Sequence, residues 1–232
     1  MALGLQTEST GGGDFLPVCK YDSRAGRFFR QDKGDNGTAS IDITRAFKAV
    51  FDFENIEVGW IMFAAGQAPS FAMVKFGQVL PARPNDNHNQ GFRIAIKLSK
   101  DCGGDVREFA STARACLRGL DAIHTQYEAE KAAHPGQLPV VILKDTVPVT
   151  SGNGDKKSTN YDPIFEIVSW VNRPADLVYT PRAPAKPSAA AQTAATGSVG
   201  TQSTHRGPPA TGSTAAPPPA TQTAAPAGDD FG

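Results

Sequence analysis

The chain has 232 residues, with 23 Lys+Arg balancing 23 Asp+Glu, so its formal net charge is zero. That length holds one domain with a tail, and the neutral balance argues against a histone-like polycation while leaving room for a local basic groove. The odd set of cysteines (Cys19, Cys102, Cys116), without a C-x-x-C, gives neither a disulfide framework nor a zinc ribbon, and no stretch approaches the roughly 20 apolar residues of a membrane span.

Residues 1–13 are small, polar and glycine-rich. They lack a basic start and an apolar run, so the expectation is a flexible leader rather than a signal peptide, and a cytoplasmic protein. The folded body is expected over residues 14–179. Its first part reads as β-structure. "RFFRQ" and "ASIDITRAF" flank "DKGDNGT", where Asn36-Gly37 is a hairpin signal. "AVFDFENIEVGWIMFA" follows as one long strand or two, then "FAMVKFG". In "GFRIAIKL", Phe92, Ile94, Ile96 and Leu98 share one face while Arg93, Ala95 and Lys97 share the other, the alternation of a half-buried strand.

From Asp105 the period changes. Val106, Phe109, Ala110, Ala113, Cys116, Leu117, Leu120, Ile123 and Tyr127 recur at spacings of three and four, which predicts one long helix opened by a D-x-x-E capping box, Asp105 with Glu108. "HPG" at residues 134–136 ends it. "LPVVILKDTVPVT" and "PIFEIVSWV" are the last two strands, and "NRPADL" leads out. Strands outnumber helices and no βαβ alternation occurs, so the fold class is mainly β (α+β). The expected architecture is an antiparallel oligonucleotide-binding-type (OB-like) barrel with one inserted helix, with a sandwich as the alternative.

Residues 180–232 are of a different kind. From Pro181, Ala, Pro, Thr, Gly, Ser and Gln make up 44 of 52 residues. Such a segment buries too little apolar area to offset its ordering entropy, so a disordered tail is expected. It closes on an acidic and aromatic tip, Asp229, Asp230 and Phe231.

Enzyme signatures are lacking. "TSGNGDKKST" has the glycines and lysines of a phosphate cradle but not the G-x-x-x-x-G-K-[ST] spacing. There is no nucleophile elbow and no paired histidine motif. No cofactor is implied, and a non-enzyme is expected. Asp52 and Glu54 in "FDFENIE" fall on one face of a strand, a spacing that a two-metal nuclease uses, and that is kept as an alternative.

The most cation-rich aromatic stretch is "KYDSRAGRFFRQDK". Lys20, Arg24, Arg27, Arg30 and Lys33 outnumber Asp22 and Asp32, and Tyr21, Phe28 and Phe29 are interleaved with them. Cations that track phosphates beside rings that stack on bases are what single-stranded nucleic acid requires. In a strand, Arg27 and Phe29 share one face and Phe28 and Arg30 the other, so one Phe is expected in the core and one outside. Arg93, Lys97, Lys156, Lys157 and Tyr161 are candidates to extend the groove.

A strand-rich body, a Pro/Gly/Ala/Gln tether and the tip "GDDFG" together resemble the layout of bacterial and phage single-stranded DNA-binding proteins. The body stretches "FDFENIEVGW", "LSKDCGGDVREFAS" and "STNYDPIFEIVSWVNRP" resemble phage and prophage proteins, and a helix between barrel strands is similar to single-strand binders of the T7 type. The resemblance implies single-stranded DNA as partner in phage replication and recombination. It also implies recruitment of replication or recombination proteins through Asp229, Asp230 and Phe231. The tip departs from the family in having only two acids and in placing Gly232 after the aromatic. The sequence leaves homo-oligomerisation open. The rival to a DNA binder is a virion or assembly protein.

Overall fold

The computed structural model describes residues 16–34, 37–154 and 157–180. In chain order these form β1 (Val18–Asp22), β2 (Arg27–Gly34), β3 (Gly37–Asp42), β4 (Lys48–Phe51), β5 (Glu57–Met62), β6 (Ser70–Lys75), β7 (Asn89–Leu98) and β8 (Val106–Ser111). The helix α1 (Arg114–Glu130) follows, then β9 (Gln137–Ser151) and β10 (Ser158–Asn172). Short 3-10 turns at Phe53–Asn55, Lys100–Cys102 and Lys131–Ala133 connect some of them. No helix among the described residues is long and apolar enough to cross a membrane.

All ten strands belong to one mixed sheet, ordered β10-β9-β4-β7-β8-β1-β2-β3, with β5 and β6 branching from β7. The first half of β7 pairs with β5 (Glu57 opposite Arg93), and its second half pairs with β4 (Ala49 opposite Leu98). Every pairing is antiparallel except β1 with β8, which is parallel. The sheet does not close into the expected barrel, because β3 and β10 end the strand order without pairing with each other. It is nevertheless tied across. The Tyr161 N–H donates to the Ser23 carbonyl at 2.6 Å and the Tyr21 hydroxyl donates to the Tyr161 carbonyl at 2.9 Å, too few bonds to make a ladder.

The core fills one face of the sheet. Phe28 stacks on Phe47 at 4.0 Å and tilts against Phe109 at 4.9 Å, with Phe51 and Phe165 completing the aromatic cluster. The helix presses its stripe of Cys116, Leu120, Ile123 and Tyr127 onto this face. Burial pushes the thiols of Cys19 and Cys116 up to about 12, which leaves both protonated and unreactive.

Two expectations are corrected here. The helix starts at Arg114, not at Asp105. Residues Val106–Ser111 are a strand in which Arg107, Phe109 and Ser111 are buried and the residues between them half-buried. Asp105 caps nothing; its carboxylate pairs with Arg107. The segment after β10 also does more than lead out. Residues 173–179 fold back as a strap over the second face of the sheet, where Leu177 is fully buried with Val50, Leu138 and Val140. The strap is pinned by Arg173 to Asp52 and Glu54, by Asp176 to Lys97, and by the Tyr179 hydroxyl to Glu57 at 2.7 Å. Burial and that carboxylate push the Tyr179 phenol up to about 12, and the Lys75 ammonium lies 4.3 Å over its ring.

Candidate nucleic-acid interface

The β1–β2 pairing decides which side chains of the basic stretch reach solvent. Opposite residues in an antiparallel pair share a face. Tyr21 lies opposite Phe28 and Cys19 opposite Arg30 on the core side, while Lys20 lies opposite Phe29 and Asp22 opposite Arg27 on the outer side. Tyr21 is 5% exposed and Phe28 0%. Neither ring can stack on a base without leaving the core, so both are removed from the expected site. Tyr21 is in the core because it packs on Phe28 at 5.6 Å and buries its hydroxyl on Tyr161, and burial raises its phenol.

Arg30 is a second correction. It lies on the core side, where its guanidinium donates to the Cys102 carbonyl at 2.9 Å and approaches Asp32 at 3.0 Å. Arg107 shares Asp32 at 2.6 Å and adds Asp105 at 2.8 Å, so two arginines and two aspartates neutralise one another. Arg93 and Lys97 are corrected too. They do alternate with the core residues of β7, but their face is covered, and they are 9% and 8% exposed. Arg93 pairs with Glu57 and lies 3.5 Å from Glu108, and Lys97 meets Asp176 of the strap at 2.5 Å. The alternation in "GFRIAIKL" is real; its reading as a half-exposed strand fails because a distant segment covers the polar face.

What remains is an outer strip on β1, β2 and β3. Phe29 is half-buried there, with Lys20 opposite it on β1 and Asp42 opposite it on β3. Arg27 and Lys33 lie on the same face of β2, Arg24 sits in the turn between β1 and β2, and all three are exposed along with Lys20. Arg27 pairs with Asp42 at 2.8 Å. The Thr44 hydroxyl and backbone N–H also donate to Asp42, which lowers its carboxyl below the usual carboxylate range. Gln31 and Ser40 exchange hydrogen bonds across the same face. Tyr161 reaches the strip's end: its side chain lies against Gly26, where an added Cβ would stand 3.1 Å from the Tyr161 Cβ and Cγ. The left-handed conformation of Gly26 (φ 66°) and this contact both exclude a larger residue. Lys157 is exposed before β10. Lys156, Asp229, Asp230 and Phe231 lie outside the described residues.

The carboxylates considered for metal chemistry have another role. Asp52 is fully buried, and both its oxygens accept from Arg173, at 2.7 and 2.9 Å, and from the Asn55 amide. Glu54 takes the same guanidinium at 2.7 Å. Their oxygens are therefore satisfied by a cation of the chain, and among the described residues no group of three or more His, Cys, Asp or Glu is placed to hold a metal ion. The residues that sequence reading missed are those of the strap, Arg173, Asp176 and Tyr179. Their only local signal is the mixture of charge and Leu177 in "NRPADL".

No protein-family model matches the chain, and neither a curated protein nor a solved structure matches it.

Proposed function

We propose that the outer strip of β1–β3 binds single-stranded DNA without sequence preference. The observation that carries this reading is the placement of Phe29: it is the one ring of the basic stretch delivered to the outer face, in the same row of β2 as Arg27 and Lys33 and with Lys20 opposite it on β1. A base stacks on Phe29 while Lys20, Arg24, Arg27 and Lys33 take the flanking phosphates. The face carries Gln31, Ser40 and Thr38 rather than a cleft shaped for one base, which favours sequence tolerance. In this proposal the curled sheet plays the part of an oligonucleotide-binding barrel. The tip residues Asp229, Asp230 and Phe231 recruit replication or recombination proteins, as in the phage proteins that the layout resembles.

The test is a fluorescent dT oligomer titrated against a matched duplex. The single strand is expected to bind more tightly. Phe29→Ala is expected to lose about 1–3 kcal/mol of binding, a loss on the order of tenfold or more. Arg30→Gln, on the opposite face, is expected to leave affinity unchanged in folded protein. Equal affinity for both forms, or a Phe29→Ala variant that binds like the parent, rejects the proposal.

A further inference from the structure

The two ends of the sheet are not alike. The outer edge of β10 is guarded: Pro163 lies within the strand, and its register against β9 breaks between Ile164 and Phe165 and again between Ile167 and Ser169. Proline and bulges are the features that keep an edge from accepting another strand. At the other end, β3 has neither. Its residues Gly37–Asp42 run in unbroken register with β2, every one of them is exposed, and the segment contains no proline and no lysine or arginine.

The register also tells which backbone groups face outward. The Ile43 N–H donates to the Phe28 carbonyl at 2.9 Å, and Ile43 with Phe28 continues the series Ile41–Arg30, Ala39–Asp32 and Gly37–Gly34. Alternate residues of an antiparallel strand bond to the same side. Gly37, Ala39 and Ile41 therefore bond to β2, and Thr38, Ser40 and Asp42 direct their N–H and C=O groups away from the sheet.

We infer that this edge pairs with the same edge of a second copy of the chain, antiparallel, across a two-fold axis at Ser40. The edge is self-complementary in that register. Ser40 faces the partner's Ser40, Thr38 faces the partner's Asp42, and Ala39 faces the partner's Ile41. The outward groups of Thr38, Ser40 and Asp42 then form about six ladder hydrogen bonds. The hydroxyl of Thr38 comes beside the partner's Asp42 and can donate to its carboxylate. Ile41, 38% exposed at present, gains an apolar neighbour. No like charges meet, which is the argument for a second copy over an unrelated extended peptide. The pairing stands apart from the DNA-binding proposal. One consequence does rest on that proposal: the axis is perpendicular to the sheet, so both outer strips share one face, and Phe29 and Asp42 fall in line with the partner's Thr38 and Lys33.

The test is the mass of the full chain in solution by sedimentation velocity. The parent is expected to be a dimer. Ser40→Pro removes an N–H that β2 does not use, so it is expected to give a folded monomer with an unchanged circular dichroism spectrum. Ser40→Cys, which places a thiol opposite itself at about 5.5 Å between Cα atoms, is expected to crosslink the dimer under mild oxidation. Thr38→Cys, about 13 Å from its own symmetry copy by strand rise, is expected not to. A monomeric parent overturns the inference, including one that adds an extended peptide at this edge instead. So does a dimer that survives Ser40→Pro, or a Thr38→Cys variant that crosslinks as fast as Ser40→Cys. If Ser40→Pro fails to fold, the cysteine pair alone decides. Phe29→Ala is expected to leave the dimer intact, and monomeric Ser40→Pro is expected still to bind dT through Phe29, so failure of one proposal is distinguishable from failure of the other.

Discussion

Asp52 is fully buried in a strand-to-turn junction, and its charge is tolerated because Arg173, 121 residues later, closes on it with two guanidinium nitrogens. A buried carboxylate that loses its partner costs more than the pair contributes. Arg173→Leu is therefore expected to destabilise the body by about 3 kcal/mol, read as a lower urea midpoint at unchanged slope. Asp52→Asn in the Arg173→Leu background is expected to restore part of the loss, because a neutral amide no longer needs the cation. A fully stable Arg173→Leu protein would show that the pair is incidental. The same residues mark what the sequence could not disclose. The spacing of Asp52 and Glu54 suggested a metal site because nothing in "FDFENIE" names a distant arginine. Phe28 and Phe29 show the opposite case. Strand alternation alone requires one ring inside and one outside; the choice between them comes from the β1–β2 register, which also takes Tyr21 into the core with Phe28.

At the scale of elements, the hairpins and the final two strands were legible, because turn residues separate apolar runs of strand length. The segment 105–111 was not. Val106, Phe109 and Ala110 fit the helical stripe that Cys116, Leu120 and Ile123 continue, and a period of three or four over so few residues is also satisfied by a strand. The physical arbiter is Gly103-Gly104, both in the left-handed region (φ 120° and 70°), which returns the chain from β7 into an antiparallel partner. Tertiary pairing with β7 and β1 then overrides helix propensity. The strap is an element in its own right although it has no regular hydrogen bonding. Ending the chain after Thr180 keeps its pins to Asp52, Lys97 and Glu57; ending it after Asn172 removes Leu177 and leaves three buried charged residues without those partners. The shorter truncation is expected to melt like the full chain. The longer is expected to lose several kcal/mol, about 2–5 for the leucine alone, and to bind a hydrophobic dye. Equal melting temperatures for the two truncations would show that the second face of the sheet holds without its cover.

For the whole molecule, the equal count of acids and cations is resolved by geometry. Arg30, Arg93, Lys97, Arg107 and Arg173 are all matched by carboxylates inside or beneath the sheet. Such pairs contribute nothing to a phosphate-binding field, so the net neutrality of the chain understates how few cations are available to a ligand. Of the positively charged or aromatic positions in the described chain that the sequence offered for DNA, the structure leaves Lys20, Arg24, Arg27 and Phe29 on one strip, with Tyr161 toward its end. With Lys33 that gives about four phosphate contacts per chain. Counterion release then sets the salt dependence: log K against log salt should fall with a slope of roughly −3 for a single strand. A titration of the dT oligomer over a range of sodium chloride measures it, and each of Lys20→Ala and Lys33→Ala should reduce the slope by about 0.7. A slope near zero would mean that the strip does not touch phosphates. A slope several times steeper, unchanged by those substitutions, would place the nucleic acid on a different surface of the protein.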